Sequence, residues 1–360
     1  MGAVITERGN RGLRERWQTL LADNPGMRIR QAADQLGVSE MDLVRLRPSQ
    51  ELAPLTPDFA GLMQEMTSVG PVMILARNDQ VVHEVTATFG DFTVGGSGTM
   101  GLAVGDIDVR VFFGQWAHGF HVREQVRSGN RESLQFFDRH GVAIQKIYRV
   151  DDTDGDAWNA LVDRYRAPAF PPVEDCGPRP PLQRANVDAL DVKALQDDWA
   201  ALKDVHHFNA MLKRHGVDRL TALEQVGSQW VTRLPASPGD ETSPLDVLLE
   251  NARISGCPLM FFVGNPGIVQ IHTGRVDNPR RMGPWMNVLD KGFNLHANTS
   301  GMTDWFVVRK PTADGVVTSL EAYNGSGYIV LTVFGERKPG QPELPLWREE
   351  IRKLEDSLCV

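Results

Sequence analysis

Long apolar runs are missing from these 360 residues. No stretch approaches the roughly 18 apolar residues of a membrane span, so no membrane insertion is expected. Met1 to Arg16 has no apolar core and no small-residue cleavage site, which argues against a secretory signal. Cysteine is scarce. Cys176, Cys257 and Cys359 are odd in number and widely spaced, which supports neither a disulfide framework nor a zinc site and fits the cytoplasm. A basic excess is missing too: 38 Lys and Arg against 46 Asp and Glu leave a net charge of -8. A protein built mainly to coat nucleic acid would carry the opposite balance. No glycine-rich phosphate loop opens a helix, so nucleotide binding has no support. Apolar content of 41% and charged content of 23% are those of an ordinary globular chain of about two domains.

What is present is a repeat. Pro71-Val72-Met73-Ile74-Leu75-Ala76-Arg77-Asn78 is echoed about 187 residues later by Pro258-Leu259-Met260-Phe261-Phe262-Val263-Gly264-Asn265. The same spacing pairs Trp116 with Trp305, Ser133-Leu134-Gln135 with Ser319-Leu320-Glu321, Asp138 and Gly141 with Asn324 and Gly327, and Trp158 with Trp347. Such a duplication predicts two copies of one unit packed as a pseudo-dimer.

Each copy reads as helices, then strands, then a helix. Leu13, Trp17, Leu20 and Leu21 stand at helical spacing, and Asn24-Pro25-Gly26 ends that helix. Ile29 to Leu36 is helical, Gly37-Val38-Ser39-Glu40 is a turn with an N-cap, and Met41 to Val44 resumes a helix. Val81 to Val85, Asp108 to Phe112 and Leu134 to Phe137 are β-rich. Trp158, Leu161, Val162 and Tyr165 close the copy as a helix. Six prolines between Pro168 and Pro181 predict a linker. Leu195, Trp199 and Leu202 restart helical spacing, strands run from Leu259 to Phe334, and Trp347, Ile351, Leu354 and Leu358 form the last helix. The expected class is α+β, with two similar halves, each a large antiparallel sheet flanked by helices. The boundaries are 1–166 for the first repeat, 167–190 for the proline-rich linker and 191–360 for the second repeat.

The most unusual local sequence runs from Asp204 to Gly216. Val205, Phe208 and Leu212 make an apolar stripe, and Asp204 is a plausible N-cap. His206 and His207 would point about 100° apart on a helix, which argues against a shared zinc. One histidine suffices for haem, because the porphyrin brings four nitrogens of its own. A neighbouring helix N-terminus would keep the ring neutral, as a ligand must be. The plainer alternative is two surface or capping histidines. Cations for the propionates and aromatic walls are available in Arg219, Arg309-Lys310, Arg337, Phe262 and Phe334. The plainer alternative for these is a solvated basic surface.

With Ile107-Asp108-Val109-Arg110-Val111-Phe112, Ser133-Leu134-Gln135-Phe136-Phe137-Asp138, Asp204-Val205-His206-His207-Phe208, Phe262-Val263-Gly264-Asn265, Gln270-Ile271-His272-Thr273-Gly274 and Arg309-Lys310-Pro311-Thr312-Ala313-Asp314-Gly315 in view, the chain resembles the cytoplasmic haem-utilisation proteins of Gram-negative bacteria, the HemS/ChuS/PhuS type. The resemblance covers nearly the whole chain. It implies haem b as ligand, His206 as axial ligand of the iron, and Arg110 on the opposite haem face. It also implies Arg219, Lys310 and Arg337 as pocket cations and Phe262 as a wall residue. Phe334 stands where some members have tyrosine, Thr332 where they have glutamine, and His207 where some have glutamine. That pattern resembles the PhuS-like branch and implies a carrier that takes haem from an inner-membrane importer to a haem oxygenase, with His207 as a candidate alternate ligand.

Two other functions are open on the sequence. One is a haem-degrading oxygenase, with Arg110 stabilising developing negative charge on the distal side. The other is a haem-linked DNA-binding regulator. Gln31 to Glu40 looks like a helix-turn-helix, and Arg28, Arg30, Arg45 and Arg47 could contact phosphates within residues 28–47. A helical hairpin packed on the first sheet is the plainer account of that segment. Counting 187 residues back from His206 lands among Trp17 to Leu21, and Arg110 maps near His296. The expectation is therefore one haem, with the second copy supplying the axial ligand.

Overall fold

The computed structural model describes residues 7–126, 129–172, 177–236, 242–338 and 340–358, side chains of 7–10 aside. Cys176 and Cys359, and part of the proline-rich stretch, lie outside them. The first repeat runs α1 (Glu7–Asp23), α2 (Ile29–Leu36), α3 (Glu40–Arg45), β1 (Leu52–Pro54), α4 (Phe59–Glu65), β2 (Pro71–Arg77), β3 (Val81–Thr88), β4 (Phe92–Val94), β5 (Met100–Ala103), β6 (Asp108–Phe112), β7 (His118–Val126), β8 (Gly129–Phe137), β9 (Ala143–Arg149) and α5 (Gly155–Tyr165). The second repeats that order: α6 (Val192–Ala200), α7 (Phe208–Arg214), α8 (Arg219–Gln225), β10 (Val231–Leu234), α9 (Pro244–Ser255), β11 (Leu259–Asn265), β12 (Ile268–Gly274), β13 (Pro279–Met282), β14 (Trp285–Asp290), β15 (Phe293–Asn298), β16 (Met302–Thr312), β17 (Gly315–Asn324), β18 (Ile329–Gly335) and α10 (Pro345–Leu358). The fold is α+β and duplicated.

The chain divides into two compact units. One comprises 1–77, 84–180 and 265–270, and the other 78–83, 181–264 and 271–360. Each unit thus includes a six-residue segment from the other half of the sequence, which a division at the prolines does not anticipate. Asparagines anchor these segments. Within the first unit, Asn265 Nδ2 donates to the carbonyls of Arg77 and Ile144 at 3.0 and 2.8 Å. Within the second, Asn78 Nδ2 donates to those of Gly264 and Val330 at 3.1 and 2.8 Å.

The first unit has antiparallel strands in the order β1-β7-β8-β9-β2, with β4-β5-β6 beside them in sequence, and the second repeats this as β10-β16-β17-β18-β11 and β13-β14-β15. Register shows which repeated residues are equivalent. His118 pairs with Phe137 and Asp304 with Tyr323, a constant shift that maps Asp138 onto Asn324. Those two carboxylate or amide oxygens accept matching turn N–H groups, from His140 and Val142 in one copy and Ser326 and Tyr328 in the other. Trp116 and Trp305 are not equivalent: the same shift places Met302 opposite Trp116. Trp158 and Trp347 are both fully buried, and their indoles donate to Glu132 Oε2 and the Thr318 carbonyl, at matching strand positions.

Alternation along β16 and β17 leaves apolar and polar side chains on one face, and helices cover it. Leu195, Trp199, Phe208, Met211, Leu212, Leu220 and Leu223 of α6–α8 pack with Phe306, Val308 and Tyr323. Fully burying each such side chain contributes about 1.5–3 kcal/mol. In the first unit Met41 and Val44 of α3 pack on Phe120, Val122 and Phe137 in the same way. The helix-turn-helix-like segment is therefore a hairpin whose second helix has Glu40, Met41, Leu43 and Val44 buried.

Helices α4 and α9 escape the apolar-spacing argument. α9 does carry a start signal, since Ser243 and Asp246 form a reciprocal capping box with Pro244 in the first turn.

Candidate functional site

His206 lies on a 3-10 turn, Val205–His207, that leads into α7. At about three residues per turn, His206 and His207 diverge even more than on an α-helix. Asp204, extended at φ -151°, caps the turn by accepting the His206 N–H at 2.9 Å. The same Oδ1 lies 2.6 Å from His206 Nδ1. These hydrogen bonds, backbone first and ring second, hold the Asp204 carboxyl below its ordinary range. His206 is 87% exposed at its side chain, and His207 is exposed as well. Phe208 and Leu212 turn into the core and Val205 is half-buried, so the predicted stripe seats the turn with its histidines outward. His215 is taken by Asp198 at 2.9 Å. Among the described residues no group of three or more His, Cys, Asp and Glu could hold a metal ion. An imidazole here therefore suits a metal that brings its other ligands along.

The covered sheet face brings several of the expected residues together in this unit. Across four strands, Phe306 pairs with Glu321, Glu321 with Thr332, and Thr332 with Phe262. Side chains two residues apart share a face, so Lys310 and Phe334 belong to it too. Phe262 and Phe334 meet edge to face, with ring centres 5.1 Å apart. Arg309, next to Lys310 in sequence, points to the other face and binds Glu355 of α10 through two 2.6 Å contacts. It is not part of this group.

Glu321 is the centre of the face, and in the sequence it stands out only as the repeat partner of Gln135. Its carboxylate is fully buried and accepts from Arg219 Nε and Nη2 at 3.0 and 2.6 Å, Lys310 Nζ at 2.8 Å, Ser319 Oγ at 3.0 Å and Tyr323 Oη at 2.8 Å. Burial alone would raise its pKa, but Arg219 and Lys310 outweigh it and hold Glu321 well below the usual carboxylate range. Burial pulls Lys310 down to about 8, against the opposing pull of Glu321. Burial also pushes the Tyr323 hydroxyl up, and the adjacent carboxylate adds to that. Arg219 and Lys310 both lie on the Phe208 ring, 5.1 and 4.7 Å from its centre, which is cation–π geometry. The network therefore joins the sheet to the first residue of α7, two positions after His206.

Two cations share one carboxylate here, so the cluster keeps net positive charge. Lys310 is buried and spent on Glu321, whereas Arg219 keeps 26% of its side chain exposed. Arg337 is 20% exposed and 3.7 Å from Asp314. A flat aromatic dianion with one open metal position fits these groups: an outward imidazole engaged only through Nδ1, edge-to-face phenylalanines and guanidinium groups. In the other unit, Arg110 on β6 pairs with Asp108 two residues earlier and reaches the Val109 carbonyl at 3.2 Å. Burial raises the Asp108 pKa more than Arg110 lowers it.

The equivalent of His206 in the first unit is not in α1. Matching α2 with α7 and α3 with α8 aligns their left-handed glycines, Gly37 and Gly216 at φ 67° and 60°, and their caps, Ser39 and Asp218. On that alignment His206 answers to Met27 and Asp204 to Pro25. An insertion before the strands makes the 187-residue spacing fail here.

Comparisons with known proteins agree along the chain. Residues 37–165 and 216–354 each match the haemin-degrading HemS.ChuX domain. The haemin transport protein HemS of Yersinia enterocolitica is 34% identical over 351 residues, 97% of this chain and 99% of that one. The crystal structure of holo-PhuS, a haem-binding protein from Pseudomonas aeruginosa, superposes with a TM-score of 0.89 at 42% identity, covering 97% of this chain and 99% of that one. The haem-degrading enzyme ChuS of Escherichia coli O157:H7 gives 0.88 at 33% identity, covering 96% and 99%.

Proposed function

The chain belongs to the family of haemin-degrading HemS.ChuX domains, and on that premise we propose that it binds one haem b through His206 and carries it within the cytoplasm for haem-iron utilisation. The single observation that carries this reading is the outward imidazole whose Nδ1 is engaged by Asp204, which leaves Nε2 to donate to iron. Phe262 and Phe334 supply an apolar wall. Arg219 and Arg337 are the partly exposed partners for propionates, and Lys310 backs Arg219 through Glu321. His207, exposed beside His206, is the alternate ligand during transfer. Arg110 is assigned to the distal side by resemblance. The haem source is an inner-membrane importer and the acceptor a haem oxygenase, a role in keeping with relatives called haemin transport proteins.

The test is the visible spectrum of the haem complex of wild type and His206→Ala. Loss or displacement of the ligand-dependent bands is expected in the variant, and identical bands would remove His206 from the site. Incubation with ascorbate and catalase then separates carrier from oxygenase. A persistent Soret band fits the carrier, and catalase-resistant decay of that band would move ring opening into this chain, as the description of ChuS as a haem oxygenase suggests for that protein.

A further inference from the structure

We propose that Asp204 is a positioning residue for the iron-binding imidazole: it fixes His206 as the Nδ1–H tautomer and makes Nε2 the stronger donor. The other aspartate caps of the α-helices in this unit serve the backbone, neighbouring hydroxyls or guanidinium groups rather than an imidazole. Asp191 and Asp218 accept backbone N–H groups of Ala194 and Thr221, and neither contacts a ring that could bind iron. Asp204 Oδ1 takes the backbone N–H and the ring Nδ1 of the same residue, at 2.9 and 2.6 Å. These two contacts close a small ring through the His206 side chain. One contact fixes the start of the turn, and the other selects a single His206 rotamer.

A carboxylate accepts and cannot donate, so the nitrogen facing it must carry the hydrogen. Free imidazole in water favours the opposite tautomer, with hydrogen on Nε2, which would block iron. Asp204 reverses that preference before any ligand arrives. A carboxylate behind a metal-bound imidazole also raises the basicity of the ligating nitrogen. The first unit lacks both parts, with Pro25 and Met27 at the equivalent positions. The device therefore belongs to one copy only, as a functional addition to a duplicated scaffold would.

The tautomer is a property of the haem-free chain, whereas its consequence for iron rests on the proposed function. The experiment separates them. Long-range proton–nitrogen correlation spectra of the full, haem-free, ¹⁵N-labelled chain at pH 8 report which His206 nitrogen carries hydrogen. Wild type is expected as Nδ1–H, Asp204→Ala as a shift of several fold toward Nε2–H, and Asp204→Asn as intermediate. Asparagine is an equally good N-cap, so Asp204→Asn keeps the turn folded while removing the charge. In the ferrous haem complex the iron–histidine stretch is expected to drop in frequency in both variants, and haem affinity to fall about tenfold. A wild-type His206 already protonated on Nε2, or a tautomer unmoved in Asp204→Ala, overturns the proposal. If the tautomer moves but the iron–histidine stretch does not, the part that concerns iron is overturned. If His206→Ala leaves the haem spectrum unchanged, the function proposed above fails, independently of the tautomer result.

Discussion

Arg219 and Glu40 stand at the same place in the two units, as the first residues of α8 and α3, and carry opposite charges. Each is answered from the sheet beneath it, Arg219 by the buried Glu321 and Glu40 by the buried Lys146. Lys310 has Glu124 as its counterpart, itself paired with Arg47. Equivalent helices thus sit on equivalent sheets through ion pairs of reversed polarity. In the second unit two cations, Arg219 and Lys310, share the one carboxylate of Glu321 beneath α7 and α8, a positive cluster of the sign an anionic ligand requires.

Removing the carboxylate from that cluster should cost more than removing a cation. Glu321→Gln leaves the buried Lys310 and the partly buried Arg219 beside each other without a counter-charge, a loss of roughly 3 kcal/mol. Lys310→Met keeps Arg219 paired with Glu321 and should cost clearly less. Urea denaturation of both variants at pH 7 checks the order. Equal midpoints would mean that Glu321 is not the shared counter-charge of both cations.

Acid should weaken the fold before the carboxylates titrate. Burial lowers His272 to about 4, and burial with the nearby His272 lowers His83 to about 3. Both are neutral in the folded chain at pH 5, whereas the unfolded chain takes up protons below about 6.5. Stability therefore falls as pH drops from about 6.5 toward 4, by about 2 kcal/mol for each histidine between pH 7.5 and 5. His272 stacks on Phe293 at 3.7 Å and 13°, so His272→Phe keeps an aromatic contact. Its urea midpoint should change less between pH 7.5 and 5 than that of wild type.

Gly216 ends α7 in the left-handed region at φ 60°, with no atom within 4 Å of the place a methyl group would take. Gly216→Ala should therefore cost only the backbone penalty, about 1–2 kcal/mol. Gly37→Ala, at φ 67° and equally open, should cost the same. Thermal melts of the two variants test this, and a much larger loss at either site would show that the two turns are not equivalent.

His207 should matter for haem transfer and not for holding it. His207→Ala is expected to keep the wild-type spectrum of the haem complex and to slow delivery to a haem oxygenase several fold. Stopped-flow absorbance measures the rate, and an unchanged rate would remove His207 from the transfer step.

Much of the fold is legible in the sequence. The pair Asp138/Asn324 and the pair Trp158/Trp347 marked the duplication because turns and buried indoles impose local, residue-specific demands. His206-His207 stood out because two adjacent histidines at a helix start are chemically unusual. Trp116/Trp305 misled, since a shared residue type does not establish a shared strand register.

By itself the sequence determined the duplication, the α+β order and the local helix starts and stops, which depend on spacing, caps and turn residues within a few positions. Only the tertiary structure decided that Glu321 gathers Arg219, Lys310 and Tyr323, that Arg309 faces away from Lys310, and that Met27 rather than α1 answers His206. Those outcomes depend on strand register, on insertions between elements and on which charges are buried together. Each is a contact between residues far apart in sequence, selected by the cost of leaving a polar group buried without a partner.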